Sequence, residues 1–176
     1  MFLVTGGGTA QGWRPPSDDV PRPVATRVHW DAVRVPDPAV AASVLDRLGR
    51  ETGAVIADSR TGVRYWLVRP HAADSWPAMT GVSVLGRDDF VAVPPIWKLQ
   101  GPGPHWRVPF LADSYLTPPD PLCGALLAAT EHLQEEDDDA LVGLTAERRA
   151  WKDRVLRIRL REVNRRSIGR ESRPWG

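Results

Sequence analysis

Hydrophobic and polar residues alternate over residues 27–35, which is the spacing of a β-strand that buries one of its two faces. Three apolar side chains share the predicted buried face of this strand: Val28, Trp30 and Ala32. Two further apolar runs, residues 53–58 and 63–69, flank a Ser-Arg-Thr-Gly segment at residues 59–62. Turn-forming residues between two apolar runs predict a β-hairpin.

Between these strands the pattern changes to helical spacing, with one apolar residue every four positions: Val40, Val44 and Leu48. Asp37 precedes this stripe and predicts an N-terminal cap, because its carboxylate can accept hydrogen bonds from the free amides of the first turn. Pro38 suits the first helical position, and Gly49 follows the last apolar residue, as is common where helices end. The sequence therefore predicts a helix between Asp37 and Gly49.

Residues 81–108 contain two or three further predicted strands. One apolar run ends at Leu85 and the next starts at Phe90, and the intervening Asp88-Asp89 pair favours a hairpin turn over a displaced metal-binding pair. We expect the strand that starts at Phe90 to lie inside the sheet. The Pro94-Pro95 step should end this strand, since proline has no amide hydrogen to donate to a neighbour.

A second helix is predicted from the Asp120-Pro121 step to about His132, and a third over residues 146–163, after a Thr145 cap. Strands interleaved with few helices favour an α+β fold, with a small mixed or antiparallel sheet packed with two helices and followed by a basic C-terminal helix. We divide the chain into four parts: a loose leader over residues 1–24, an α+β domain over residues 25–134, an acidic linker over residues 135–144, and a basic helix and tail over residues 145–176.

The net charge of +1 conceals a strong asymmetry along the 176 residues. Residues 145–176 carry 11 Arg and Lys side chains against 4 Asp and Glu, a net charge of +7. The other 144 residues carry 12 basic side chains against 18 acidic ones, a net charge of −6. A basic arm on an acidic body indicates an interaction segment, although the body itself repels nucleic acid.

The predicted C-terminal helix has two different faces. One face carries arginines three and four positions apart: Arg154, Arg157, Arg161 and Arg165. Another face is apolar and is marked by three residues: Trp151, Val155 and Ile158. The arginine row can neutralise phosphates, so DNA or RNA is one predicted partner. Docking of this helix on a protein partner, or on the acidic body, is the alternative, and the sequence does not decide between these interpretations.

Eight tryptophans are many for a chain of this length. Trp30, Trp66 and Trp106 fall on predicted strands, so we expect them in the core. Trp76 and Trp97 fall in loops, where they either cover the ends of the sheet or are exposed. An exposed tryptophan beside cations can stack on nucleic-acid bases or anchor a protein partner.

Other chemistry has little support in the sequence. The four histidines are scattered, and none has a cysteine or histidine at the spacing of a zinc site. Cys123 is the single cysteine, so an internal disulfide is excluded, and it has no basic neighbour to stabilise a thiolate. We therefore expect no metal ion and no cofactor. No apolar stretch reaches the ~18 residues of a membrane span, and we expect a soluble, cytoplasmic protein.

The order of three segments carries a family resemblance: Gly-Val-Ser-Val-Leu at residues 81–85, Val-Ala-Val-Pro-Pro at residues 91–95, and a glycine-rich loop leading to Trp106. This order resembles the last strands of the N-terminal catalytic domain of bifunctional DNA primase-polymerases, of the archaeo-eukaryotic primase class. The resemblance extends over about residues 27–109. It implies an α+β polymerase domain in which an Asp-x-Asp pair, a later His and a third Asp hold the metal ions for nucleotidyl transfer.

These family positions are mostly occupied by other residues in this chain. Asp31 matches the first acid, but Val33 stands at the second and Ser83 at the third. The histidine position falls on Arg64, or on Val63 with a one-residue shift. Since valine cannot bind a metal ion, the resemblance implies an inactive protein, similar to small actinobacterial members that have lost the catalytic acids. A residual enzyme is the further alternative, with its metal site rebuilt from other acids: Asp31, Asp58, Asp88 and Asp89.

Overall fold

The computed structural model describes residues 12–131 and, beyond them, residues 143, 145–148, 150 and 154. The chain divides into two units, with the boundary between Glu131 and His132. The first unit is a mixed α+β domain with two antiparallel sheets, so the predicted fold class is confirmed. The described residues of the second unit are helical and exposed.

The first unit contains strands and helices in the following order: β1 (Arg22–Ala25), β2 (Asp31–Val35), α1 (Pro38–Leu48), a 3-10 turn (Gly49–Glu51), β3 (Val55–Asp58), β4 (Arg64–Val68), β5 (Ser83–Leu85), β6 (Phe90–Val93), β7 (Pro104–Val108) and α2 (residues 119–131). Five strands form one antiparallel sheet in the order β5-β2-β4-β3-β7. The remaining two, β1 and β6, pair antiparallel as a separate ribbon.

Helix α1 has the bounds and the caps that the sequence predicts. The Asp37 carboxylate accepts hydrogen bonds from the amides of Ala39, at 2.7 Å, and Val40, at 3.3 Å. At the other end, Gly49 adopts a positive φ of 50°, and its amide donates to the carbonyl of Leu45. The apolar stripe is buried as expected: Val40, Ala41, Val44 and Leu48. The predicted helix is therefore confirmed.

The predicted hairpin and second helix are also present. Strands β3 and β4 pair antiparallel, and the amide of Asp58 donates to the carbonyl of Val63 across the turn at 2.9 Å. Gly62 takes a φ of 75° in this turn, a left-handed conformation that glycine adopts at little cost. Helix α2 begins at residue 119, one residue before the predicted start.

The strand predicted over residues 27–35 is shorter in the structure, because its first half is a turn. Arg27 has a φ of 68°, and its amide donates to the carbonyl of Trp30 at 2.9 Å. This turn leads the chain from the ribbon strand β1 into β2, which begins at Asp31. Val28 is consequently 65% exposed instead of facing the core. The alternation of apolar and polar residues before Asp31 therefore does not mark a strand: it comes from a tight turn followed by the buried Trp30.

The hairpin predicted at Asp88-Asp89 is wrong, although the two strands end and start where expected. Strand β5 pairs with β2 in the five-stranded sheet, whereas β6 pairs with β1 in the ribbon. The turn between them therefore connects two different sheets. Strand β6 ends before Pro94 as expected, with Val91 and Val93 buried. Its pairing in the described chain is with β1 alone, so it does not lie inside the larger sheet.

Part of the predicted leader belongs to the folded unit. Residues 22–24 lie in β1, although the sequence assigns them to the leader. Trp13 packs against three aromatic rings of the core, and its ring centroid lies 5.5 Å from those of Trp30 and Phe110 and 5.6 Å from that of Tyr115. Trp13, which the sequence assigns to the leader, therefore packs against the core.

The five-stranded sheet is buried on both faces. The face that we call the ribbon face packs its apolar residues with Val91 and Val93 of the ribbon: Ala32, Ile56, Leu67 and Trp106. The opposite face carries a second fully buried set: Val33, Val35, Val55, Trp66 and Val68. Trp30, Trp66 and Trp106 are all fully buried, which confirms their predicted place in the core.

Candidate functional site

Asp31 is the one acid that the primase-polymerase resemblance retains, and it lies at the first position of β2 with its side chain fully buried. Val33 follows on the same face of the sheet, and strand pairing places Arg64 opposite Val35, on that face as well. Val33 contributes a buried apolar surface at the position of the second acid.

The third family position lies on the other side of the sheet. Ser83 pairs with Arg34 of β2, and residues that pair directly across two strands share a face. Ser83 therefore projects to the face opposite Asp31, while Val84, which pairs with Val33, projects to the same face. An acid at position 83 would be separated from Asp31 by the sheet, so the carried-over positions do not converge.

Asp31 belongs to a group of charged residues that we call the corner cluster: Arg27, Asp31, His71 and Asp74. One Asp31 oxygen, Oδ2, accepts a hydrogen bond from the His71 backbone amide at 2.8 Å. The same oxygen lies 3.9 Å from Nε of Arg27. The Arg27 guanidinium also donates two hydrogen bonds to Asp74, at 2.6 and 3.1 Å. Arg27 is thus a cationic neighbour of Asp31, while the other Asp31 oxygen, Oδ1, is buried without a hydrogen-bond partner among the described residues.

His71 completes the cluster through its ring. Its Nδ1 lies 2.6 Å from Nη1 of Arg27 and 3.0 Å from Oδ2 of Asp74. A guanidinium can only donate and a carboxylate can only accept, so Nδ1 can form a hydrogen bond with one of these two partners at a time. The hydrogen bond from Arg27, followed by that from His71, holds the pKa of Asp74 below its ordinary value, and the Asp74 carboxylate raises the pKa of Arg27.

The backbone at the corner cluster is held in an unusual conformation. Three non-glycine residues of the described chain have positive φ, and all three lie close to this corner: Arg27 at 68°, His71 at 65° and Asp88 at 68°. The two connections between the sheet and the ribbon meet here, because the amide of Thr26 donates to the carbonyl of Asp89 at 3.0 Å. The hydroxyl of Thr26 also donates to the carbonyl of Gly86. The cluster therefore anchors the corner where the chain passes between sheets.

The other candidate acids do not join Asp31 to form a metal site. Asp58 ends β3 beside the hairpin turn, and the strand register puts it at the opposite end of the sheet, about 17 Å away along the strands. Asp89 accepts a hydrogen bond from the Gly86 amide at 2.8 Å, as turn aspartates do. Within the described residues, no group of three His, Cys, Asp or Glu side chains is placed to hold a metal ion.

The predicted nucleic-acid face lies only partly within the described structure. Arg154 is helical and exposed, and Arg148 shares both properties. The other members of the two predicted faces lie outside the described residues: Arg157, Arg161, Arg165, Trp151, Val155 and Ile158. Their assignment to nucleic-acid or partner binding stays a prediction.

Sequence reasoning did not identify the corner cluster. No sequence motif connects the other three members, Arg27, His71 and Asp74. More than forty residues separate Arg27 from His71 and Asp74, and these two belong to no repeating apolar pattern. The best available signal was Asp31 itself, a charged residue next to Trp30 at the start of an otherwise apolar segment. A charge at such a position needs a partner, because an unpaired buried carboxylate is strongly destabilising.

A comparison of the chain with protein-family models, curated proteins and solved structures finds no match. The resemblance to primase-polymerases therefore depends on the order of the sequence motifs. In the part of the chain that the structure describes, no helix combines the length and the apolar character needed to cross a membrane.

Proposed function

We propose that this protein is a catalytically inactive primase-polymerase-like protein of the cytoplasm that acts as a nucleic-acid-associated accessory protein. The observation that carries the proposal is the concentration of positive charge at the C-terminus. Residues 145–176 hold 11 basic side chains against 4 acidic ones, and the described arginines of this segment, Arg148 and Arg154, are exposed on helical residues.

Binding through such a segment is dominated by phosphate contacts. Each arginine that neutralises a phosphate releases a condensed counterion, so affinity falls steeply as salt increases and depends little on sequence. The remaining residues carry a net charge of −6, which opposes binding and restricts contact to the basic segment and to local basic surfaces. The proposal therefore predicts modest affinity with strong salt dependence.

The absence of catalysis is supported by the environment of Asp31. Nucleotidyl transfer needs two metal ions held by several carboxylates, because the ions stabilise both the attacking and the leaving oxygen. Here Asp31 is buried and lies close to Arg27, Val33 replaces the second acid, and position 83 faces the other side of the sheet. These features favour a protein that has kept a polymerase-like sheet without its chemistry.

A primer-extension assay tests the inactive state. Purified protein should incorporate no nucleotide into a primed template with magnesium or manganese, while an active polymerase in the same buffer serves as the positive control. Template-dependent incorporation that disappears in the Asp31→Ala variant would show that Asp31 is catalytic and would refute this part of the proposal.

A binding titration tests the nucleic-acid role. Full-length protein should bind labelled single- and double-stranded DNA at low salt. The logarithm of its affinity should fall linearly with the logarithm of the salt concentration, and this slope should be shallower in a variant with Arg-to-Gln changes at positions 154, 157, 161 and 165. Four lost phosphate contacts correspond to a slope change of about 3. Truncation after Leu144 should abolish most of the binding.

Two results would contradict this role: no binding at low salt, or binding that the truncation leaves unchanged. A protein-partner function predicts a different pattern, in which substitution of the apolar face has the larger effect: Trp151, Val155 and Ile158.

A further inference from the structure

The loop between β6 and β7 presents an exposed tryptophan. We define the Trp97 loop as residues 94–103. Trp97 is 56% exposed, and Ile96 and Leu99 beside it are exposed as well. The three core tryptophans, Trp30, Trp66 and Trp106, are fully buried, and Trp76 is half-buried. A ring this large is usually buried, because its apolar surface is costly to leave in water. Its exposure on a folded loop therefore needs a cause.

The Trp97 loop holds its tryptophan between fixed backbone anchors. The Ile96 amide donates to the carbonyl of Pro16 at 2.9 Å, and the Lys98 amide donates to the carbonyl of Pro95 at 3.0 Å. On the other side, the carbonyl of Lys98 accepts from the Trp106 amide of β7 at 2.9 Å. Residues on both sides of Trp97 are therefore tied to the folded body, which lowers the entropy lost when the ring binds a ligand.

The sequence of this loop and of its flanks carries cations and no acid, whereas the segments bonded to it include acids: Asp58, which pairs with Pro104, and Asp18 and Asp19, which follow Pro16. Residues 90–111 contain no Asp or Glu, but they include Lys98 and the exposed Arg107 of β7. Arg60 of the β3–β4 hairpin turn lies next to the loop, since a Cβ added at Gly103 would lie 3.8 Å from its guanidinium. Lys98 Nζ donates one hydrogen bond, to the carbonyl of Pro102 at 2.9 Å, and keeps two N–H groups for another acceptor.

The hairpin turn is fastened to the loop, which keeps Arg60 in place. The Gly103 amide donates to the Ser59 hydroxyl at 2.9 Å, and the Ser59 amide donates to the Gly103 carbonyl at 3.4 Å. Gly101 packs closely here, since an added Cβ would lie 2.6 Å from the Ser59 hydroxyl oxygen. The loop and Arg60 thus lie beyond the Val93 end of β6, whereas the corner cluster lies beyond its Phe90 end. Arg107 lies on β7 next to Trp106, whose amide donates to the Lys98 carbonyl.

We propose that the Trp97 loop is a stacking platform for an unpaired base of single-stranded nucleic acid, with Arg60, Lys98 and Arg107 positioned for the neighbouring phosphates. An aromatic ring beside cations is the combination that sequence-tolerant single-strand binding uses. A duplex cannot use the ring in this way, because its base faces are already stacked inside the helix. The inference rests on the proposed nucleic-acid role. It adds that the α+β body prefers single strands, whereas the basic C-terminal segment binds single strands and duplexes alike.

The test compares full-length variants on a labelled oligo-dT strand and on a duplex of equal length at low salt. Trp97→Ala should weaken single-strand binding by about 5- to 160-fold, which is the range for loss of one stacked base. Trp97→Phe should restore most of this loss, because phenylalanine also presents a flat ring, and duplex affinity should stay unchanged. Phe90→Ala is the matched control, since Phe90 is 62% exposed but lies at the other end of β6.

The arginine-to-glutamine variant at positions 154, 157, 161 and 165 separates this inference from the proposed function. In that background, weak binding that prefers the single strand should remain, and adding Trp97→Ala should remove it. Equal single-strand affinity for wild type, Trp97→Ala and Phe90→Ala overturns the stacking platform but leaves the proposed function standing. A Trp97→Ala variant that stops self-association in sedimentation, without changing oligonucleotide binding, overturns it in favour of a protein contact.

Discussion

Replacing Gly53 with alanine should destabilise the domain by about 3 kcal/mol, an estimate that follows from the space around this glycine. An added Cβ would lie 2.5 Å from the carbonyl oxygen of Tyr115 and 2.6 Å from backbone atoms of Leu116 and Thr117. Real Cβ contacts are essentially never shorter than 3.0 Å, so a backbone segment has to move. Overpacking of this kind costs about 1–3 kcal/mol.

The neighbouring segment has little freedom to move away. The amide of Ala54 donates to the Tyr115 carbonyl at 2.9 Å, and the Gly53 amide donates to the Thr117 hydroxyl at 3.0 Å. On its other side, the Thr117 amide donates to the carbonyl of Leu67 in β4 at 2.7 Å. Displacement stretches these bonds, each of which contributes about 1 kcal/mol. The total therefore falls near the upper end of the overpacking range.

Thermal unfolding followed by circular dichroism measures the effect, with Gly124→Ala as the control of opposite sign. For a chain of this length, about 3 kcal/mol corresponds to a decrease in Tm of about 6–12 °C. Gly124 lies inside α2 with nothing within 4 Å of an added Cβ, so alanine there should stabilise the protein by up to about 1 kcal/mol. A Gly53→Ala protein with the Tm and urea midpoint of wild type would refute the steric argument.

Three further predictions follow from single side chains. Asp37→Ala should lower the free energy of unfolding by about 1 kcal/mol in urea titrations, because it removes the cap of α1. Asp74→Asn should lower Tm at neutral pH, because Arg27 lowers the pKa of Asp74 in the folded protein. The difference from wild type should begin to shrink as the pH falls below 3.8, the ordinary pKa, and should disappear only when the pH has fallen through the lower pKa of the folded state. Burial raises the pKa of the Cys123 thiol above its ordinary value of 9.0, and the neighbouring Asp120 raises it further. Iodoacetamide should therefore alkylate Cys123 at pH 8 more slowly in the native protein than in the unfolded chain. Asp120→Asn should speed the reaction of the native protein.

Much of the local structure is determined by signals that act over a few residues. The carboxylate of Asp37 reaches amides two and three positions ahead, and the apolar stripe of α1 repeats every four residues. The hairpin of β3 and β4 needs only a short turn between two apolar runs. The burial of Trp66 and Trp106 follows from their size and their place on strands, and Trp30 is buried directly before β2. Such features can be predicted because their causes lie next to each other in the sequence.

The partners of β5 and β6 are determined only by the tertiary structure. An apolar strand can pair with any neighbour of suitable length, and the sequence around Asp88-Asp89 is compatible with a hairpin and with a passage between two sheets. The choice depends on β1 and β2, which lie far earlier in the chain than β5 and β6. Contacts of such long sequence separation leave no local pattern, since their stability comes from the surface that the completed fold buries.

The candidate sites also combine features that the sequence determines with features that only the fold determines. The sequence alone determines which acids the polymerase-like positions lack and where the arginines are concentrated. Only the fold places Asp31 beside Arg27 and His71, and only the fold brings Arg60 to the Trp97 loop through the Ser59 hydrogen bonds. A charge or an aromatic ring acquires its role from its neighbours in space, and backbone hydrogen bonds between distant segments determine which neighbours those are.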